Sequence, residues 1–288
     1  MKIAKNNQGK GRAGKKRKLS LLISALGLAA GLVRSAQAQE AVTTDAVAEA
    51  AKKLSNPIAA MISAPFQYNH DKLGGTNDGA TRNTLVMQPV FPVSLNDDWN
   101  LITRIVLPVI EQKGFTSAAQ NESGLSDTTA SLFFSPKSPT AGGLIWGAGP
   151  AFLLPTATQS VLGAEKWGLG PTGVLLKQSG PWSVGILANH IWSFAGSDNR
   201  SDVNATFLEP FLSYTTRTHT TIGVNTESTY DWKANQWSVP INIQVGQVFR
   251  IGSQLLQLAV GARYWAEAPK DGPEGWGYRV QLTFLFPK

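Results

Sequence analysis

The sequence predicts an all-β chain. It reads as a transmembrane antiparallel β-barrel of about twelve strands, an even count of the kind single-chain bacterial barrels use, behind a signal peptide and one short helix. Three observations predict this. The chain ends on a strand with a wholly apolar, aromatic face. Strand-like windows recur with turn signals between them. The connections alternate between long and short. In the last stretch, Tyr278, Val280, Leu282, Phe284 and Phe286 share one face, and Arg279, Gln281 and Thr283 share the other, because successive side chains of a strand point to opposite sides. A strand that closes a barrel in lipid needs such an unbroken apolar face.

The 288 residues carry a formal net charge of +7, which invites a nucleic-acid reading. The charge is confined to one end. Residues 1–38 hold nine basic residues (Lys2, Lys5, Lys10, Arg12, Lys15, Lys16, Arg17, Lys18 and Arg34) and no acidic one. Taking those nine from 26 basic residues leaves 17 against 19 acidic, a net charge of −2 for the remainder. A basic run to Lys18, an apolar run from Leu19 to Val33 and the small-x-small triplet Ala36-Gln37-Ala38 have the form of a secretory signal peptide cleaved before Gln39. The apolar run is short for a membrane anchor, which needs about 20 residues. Nucleic-acid binding loses its support once this segment is set aside. The chain contains 0 cysteines, so neither a disulfide framework nor thiolate chemistry is available. No later run reaches the roughly 18 apolar residues of a spanning helix.

Residues 39–55 are expected to hold a short helix. Thr44 or Asp45 can cap it, and the Ala-rich run from Ala46 to Lys53 has high helix propensity. A periplasmic leader and a plug for the lumen are equally compatible with it. From residue 56 to 288 the texture is β, rich in Gly, Pro, Thr, Val and aromatic residues. The strand windows are 58–70, 82–93, 99–110, 125–134, 144–154, 166–176, 182–194, 203–214, 221–231, 237–249, 255–265 and 276–287. Each is about as long as a tilted spanning strand, roughly 9–11 residues. The tenth alternates most clearly, with Trp237, Val239, Ile241, Ile243 and Val245 opposite Ser238, Asn242, Gln244 and Gly246.

With a periplasmic N-terminus, the connections 71–81, 111–124, 155–165, 195–202, 232–236 and 266–275 face outward, and most are long and polar. The connections 94–98, 135–143, 177–181, 215–220 and 250–254 face the periplasm, and most are short. This asymmetry is a property of outer-membrane barrels. Aromatic residues fall into two belts, as rings with a polar handle do at membrane interfaces. Trp99, Trp182 and Phe286, with Phe134 and Phe249, lie at the periplasmic ends. Trp192, Tyr230, Trp232, Trp237, Tyr264 and Trp276, with Trp167 and Phe194, lie at the outer ends.

The polar faces of the strands give the lumen-lining candidates. Basic ones are Arg82, Arg104, Lys166, Arg263 and Arg279. Acidic ones are Asp127, Glu209, Glu227 and Asp231, and Asn242 and Gln244 complete the set. The arginines come from the second, third, eleventh and twelfth strands, neighbours once the barrel closes. Glu209, Glu227 and Asp231 come from the eighth and ninth. A transverse field across the lumen, suited to orienting a polar or zwitterionic solute, is one expectation. Mutual pairing that fills the interior is the other, since a barrel of about twelve strands lies between filled and open sizes.

No metal-ligand spacing, cofactor motif or catalytic constellation is apparent, so no cofactor or metal is expected. Some outer-membrane lipid hydrolases carry His, Ser and Asn on the barrel wall, and Asn189-His190-Ile191-Trp192-Ser193 invites that comparison. The odd spacing of His190 and Ser193 puts them on opposite faces, out of the reach a nucleophile and base require. Gly168-Leu169-Gly170-Pro171-Thr172-Gly173 lacks a following helix and reads as a Gly-rich strand rather than a nucleotide loop.

Six segments carry a resemblance: Ala64-Pro65-Phe66-Gln67, Gly142-Gly143-Leu144-Ile145-Trp146-Gly147, Glu165-Lys166-Trp167-Gly168-Leu169-Gly170-Pro171-Thr172, Phe211-Leu212-Ser213-Tyr214-Thr215-Thr216, Thr226-Glu227-Ser228-Thr229-Tyr230-Asp231-Trp232 and Gly275-Trp276-Gly277. Over roughly 56–288 the chain resembles a family of bacterial outer-membrane barrels called transporters, grouped with the MetA-type phenol-degradation-pathway barrels and sometimes misnamed neuromedin U. The resemblance implies residence among outer-membrane lipid and passive transport of small solutes, aromatic or hydrophobic compounds among them. It supplies no catalytic or binding residues. Many outer-membrane barrels end on an aromatic residue that the barrel assembly machinery reads; here Phe286 precedes Pro287-Lys288 and is expected to serve. Two other classes stay open: a closed barrel with a structural or surface-interaction role, and a lipid-modifying enzyme on the barrel wall.

Overall fold

The computed structural model describes residues 44–74, 79–115 and 121–287. The signal-peptide reading of residues 1–38 lies outside them. The described chain opens on α1 (Thr44–Leu54) and continues as twelve antiparallel staves. These are β1 (Ile62–Leu73), β2 (Thr81–Met87 and Val90–Ser94), β3 (Trp99–Lys113), β4 (Asn121–Leu125 and Thr128–Pro136), β5 (Leu144–Leu154), β6 (Lys166–Ser179), β7 (Trp182–Gly196), β8 (Asn204–Thr215), β9 (Thr220–Thr226 and Ser228–Asp231), β10 (Gln236–Ile251), β11 (Gln254–Glu267) and β12 (Pro273–Phe286). Each stave pairs with its neighbours in sequence, and β12 returns to β1 with Phe66 opposite Leu282 and Ala64 opposite Phe284. Closure leaves no sheet edge, which satisfies the ladder without water.

The interruptions have local causes. β2 breaks at Gln88-Pro89, where the ring nitrogen has no hydrogen to donate, although the Pro89 carbonyl still accepts from Ile105 N at 3.1 Å. β4 breaks at Ser126-Asp127, where two side chains turn to bind a loop. The window beginning at residue 58 is corrected: β1 starts at Ile62. Asn56 Oδ1 accepts from Ile58 N at 3.0 Å, which turns the chain before the strand begins. At the short-loop end, β6 and β7 are joined by Gly180-Pro181, with Gly180 at a φ of 56°, a left-handed value that tight hairpins need and glycine supplies without strain.

Alternation sorts the side chains. On β12 Trp276, Tyr278 and Val280 are exposed outward, whereas Arg279 and Thr283 are buried at 3% and 0%. On β10 Ile241, Ile243 and Val245 point out, and Asn242 and Val248 point in. The outer surface therefore carries continuous apolar rows on β6, β7, β10, β11 and β12. So large an apolar surface is foreign to a monomer in water.

The interior contains two apolar clusters. Ile58, Ile102, Phe133, Val174, Leu176 and Leu187 are buried together, flanked by Phe207 and Phe211, so the β3–β8 side of the lumen is packed like a protein core. The second cluster anchors the helix. Val47, Ala50, Ala51 and Leu54, spaced for one helical face, meet Met61, Val248, Leu255 and Leu285 at the short-loop end. Glu49 and Lys53, one turn apart, pair at 2.6 Å on the opposite face, and Gln178 Nε2 donates to Lys52 O at 3.0 Å, tying the last helical turn to β6.

Candidate functional site

The polar half of the lumen is built by β1–β3 on one side and β8–β12 on the other. Arg104 projects inward from β3 and Glu209 from β8, with their charged ends 3.7 Å apart. Those staves are separated by four others, so the pair crosses the lumen instead of running along the wall. Arg104 Nη2 also donates to Gln88 Oε1 at 2.8 Å, and Gln88 Nε2 reaches Gln67 Oε1 at 3.4 Å. Glu209 accepts from Asn225 Nδ2 at 3.1 Å. Each charge is thus held by an amide from a neighbouring stave.

A second set lies beside the first. Arg279 donates through Nη2 to Glu227 Oε2 at 2.7 Å and through Nε to Asn69 Oδ1 at 2.8 Å. Arg263 sits 3.7 Å from Glu227 and 3.5 Å from Asp71, with its guanidinium 4.6 Å from the centre of the Trp265 ring. Trp265 Nε1 donates to Asp71 Oδ1 at 2.8 Å. Arg82 donates to Gln112 Oε1 at 3.1 Å and lies 5.7 Å from the Phe115 ring. Three arginines, Arg104, Arg263 and Arg279, thus meet three carboxylates, a pairing that offsets the desolvation each charge would otherwise meet.

Below this layer, toward α1, is a cavity of about 230 Å³. Its roof is Arg104, Glu209, Glu227 and Arg279, and its floor is the segment from Lys53 to Met61. Its walls present Gln67, Gln244, Gln257, Gln281, Asn225 and Ser213. Several wall atoms are buried with no hydrogen-bond partner among the described residues, including Asn225 Oδ1, Gln244 Oε1 and Ser213 Oγ. Asn242 lies outside the cavity wall, 1% exposed, and neither atom of its amide has a partner there either.

Asp127, Asp231 and Lys166 are engaged at the outer rim. Asp127 accepts from Ala164 N at 2.6 Å and Ala157 N at 3.2 Å. It thereby holds loop 155–165 against β4, with Leu162 buried beneath it. Asp231 accepts from Lys233 N and Ala234 N, closing its own turn. Lys166 pairs with Asp202 of the next outer loop at 3.2 Å. That contact, with a hydrogen bond from Ser193, holds the Asp202 carboxyl below the usual carboxylate range. Sequence reasoning missed Asp71, Asn69, Gln112 and Trp265, although the first three occupy inward parity positions on β1 and β3.

The belt aromatics all lie on the outer face. Trp99 packs edge-on to Trp146 and Trp182 to Tyr214; Tyr230 contacts both Trp232 and Trp237, and Tyr264 contacts Trp276. Trp192 packs at a tilt against His190 with centroids 4.0 Å apart, and Phe286 ends the outer row of β12. His190 faces outward and shares a 2.7 Å hydrogen bond with Thr206 Oγ1. Ser193 faces inward and donates to Asp202 Oδ1 at 3.2 Å. The two are on opposite sides of the wall. No group of residues able to hold a metal ion occurs among the described residues.

Comparison with protein-family models and with characterised proteins finds no match. Among solved structures, an outer membrane channel from Pseudomonas putida F1 superposes with a TM-score of 0.60 at 17% identity, over 79% of this chain and 96% of that one. Outer membrane phospholipase A from Escherichia coli gives 0.47 at 10% identity over 86% of this chain and 99% of that one. The KdgM porin gives 0.42 at 12% identity over 78% and 99%; scores this low add nothing to either reading. At its level of identity the Pseudomonas likeness concerns architecture alone, and it establishes the chain as a closed twelve-stranded antiparallel β-barrel.

Proposed function

We propose that this chain is an exported outer-membrane protein through whose lumen small solutes pass passively, with the charged layer as its constriction. The observation that carries the reading is the Arg104–Glu209 pair spanning the lumen directly above a polar cavity. A barrel that served only as a wall would gain nothing from buried amide atoms without partners, since each costs stability. A permeation path presents such atoms to the solute. The apolar outer rows and paired aromatic rings suit outer-membrane lipid, and the Pseudomonas barrel of like architecture is an outer membrane channel.

In this reading residues 1–38 direct export, Phe286 on the closing strand is what the barrel assembly machinery reads, and α1 with its following segment partly plugs the periplasmic mouth. The family resemblance points to aromatic or hydrophobic solutes, but the amide-lined cavity favours polar ones. One set of observations favours a second reading, a closed barrel with a structural or surface-interaction role: arginines and carboxylates pair across the lumen, and α1 packs against the lower wall. We assign no catalytic step, because His190 and Ser193 lie on opposite faces. Planar-bilayer recording separates the two readings. Wild type is expected to show discrete ion-permeable events, larger in Arg104→Ala. Silence in both would favour the closed barrel.

A further inference from the structure

We propose that the cavity below the Arg104–Glu209 pair selects small zwitterions bearing a primary ammonium, of the size of an α-amino acid. This rests on the channel reading and names its solute class. The cavity, about 230 Å³, falls below the roughly 300–1,000 Å³ of sites for drug-sized ligands, so it admits a molecule of few heavy atoms. Its two sides differ in what they offer. On β8–β10, Asn225 commits its Nδ2 to Glu209, which fixes Oδ1 as an acceptor facing elsewhere. That Oδ1, Gln244 Oε1 and Ser213 Oγ are buried without a partner among the described residues. Beside them is the Glu209 carboxylate. Together they form a wall of unpaired oxygen atoms beside a negative charge.

The opposite side supplies Arg104. Its Nη2 is committed to Gln88, while Nη1 stands 3.7 Å from Glu209, beyond hydrogen-bond length. A carboxylate entering the cavity can take up that donor. An ammonium at the far end of the same molecule meets Glu209 and the partnerless acceptors. A zwitterion lying across the lumen therefore satisfies both walls at once. A carboxylate without an ammonium leaves the acceptors bare and faces Glu209. A neutral solute gains nothing from the field.

The test is liposome swelling with the purified full chain and three solutes of matched size: L-alanine (zwitterion), L-lactate (anion) and lactamide (neutral). The expected result is that alanine enters about tenfold faster than lactamide, the ratio that one charge-assisted hydrogen bond supplies. Glu209→Gln should bring the ratio close to one while lactamide still enters. Ser213→Ala breaks no existing pair and should lower the ratio severalfold, which covers the case in which Glu209→Gln does not fold. Equal entry of alanine and lactamide in wild type, or a ratio unmoved by both variants, would overturn the proposal. If none of the three enters, the channel reading fails separately. Equilibrium binding of L-alanine to the detergent-solubilised protein then decides: binding weakened by Ser213→Ala and Glu209→Gln sustains the site, and no binding overturns it.

Discussion

Replacing Arg279 by methionine tests whether the charged layer holds the barrel together. The side chain is 3% exposed and makes two short bonds, 2.7 Å to Glu227 and 2.8 Å to Asn69. Glu227 is itself only 22% exposed, so solvent cannot take over. Without Arg279 the carboxylate keeps Arg263, 3.7 Å away, as its ion-pair partner among the described residues, and Asn69 Oδ1 loses its guanidinium donor. Breaking a buried pair by removing one partner costs about 3–5 kcal/mol; because Arg263 remains, the lower part of that range, about 3 kcal/mol, is expected. Arg279→Lys should recover only part, because an ammonium cannot reach both acceptors with the fork a guanidinium offers. Adding Glu227→Gln to Arg279→Met removes the stranded charge and should return about 2 kcal/mol, a coupling typical of residues in one network. Urea unfolding in lipid vesicles, followed by tryptophan emission, measures these four proteins and the Glu227→Gln single variant, which closes the cycle. A loss below about 1 kcal/mol for Arg279→Met, or additive effects in the double variant, would refute the reasoning.

Further outcomes are expected elsewhere in the chain. A Cβ at Gly170 would run into the main-chain carbonyl of His190, whereas at Gly223 its nearest neighbour is 3.8 Å away; Gly170→Ala should abolish folding into heat-modifiable barrels and Gly223→Ala should not. Ile58 is 4% exposed within the apolar interior cluster, so Ile58→Ala should cost about 2–4 kcal/mol by leaving a void, read as a lower urea midpoint. Asp202 has a depressed carboxyl pKa through Lys166 and Ser193. Its bonds therefore hold the loop above the ordinary carboxylate value of about 3.9 and are lost as pH falls through the lower folded value. Hydrogen exchange at Val203 N, which donates to Ser193 Oγ, should speed up in that acidic range in wild type and be fast throughout in Asp202→Asn.

The barrel was readable because a lipid-facing wall imposes one rule on every stave. β10 and β12 show it cleanly, apolar outside and polar or small inside. The rule fails on β3, where Ile102 is as apolar as its outward neighbour Leu101, because half of the lumen is packed as a core. Alternation cannot distinguish an apolar residue facing lipid from one facing an apolar interior, so that cluster was not legible. Parity also says nothing of height along the stave. Asp127 and Asp231 alternate as lumen residues do, yet they bind loop amides at the rim. Asp71 lay within a predicted outer connection, and its link to Trp265 spans a sequence separation of 194 residues, which only closure of β12 onto β1 creates.

The central claim is that solute moves through the polar half of the lumen, and two adjacent residues on β10 test it. Gln244 lines the cavity and Val245 is exposed on the outer face. The chain has 0 cysteines, so Gln244→Cys and Val245→Cys each introduce a single reactive thiol. In planar bilayers, a bulky methanethiosulfonate reagent should sharply reduce the current through Gln244→Cys and leave Val245→Cys unchanged. Equal responses at the two positions, or an unaltered current after verified labelling of Gln244→Cys, would contradict it.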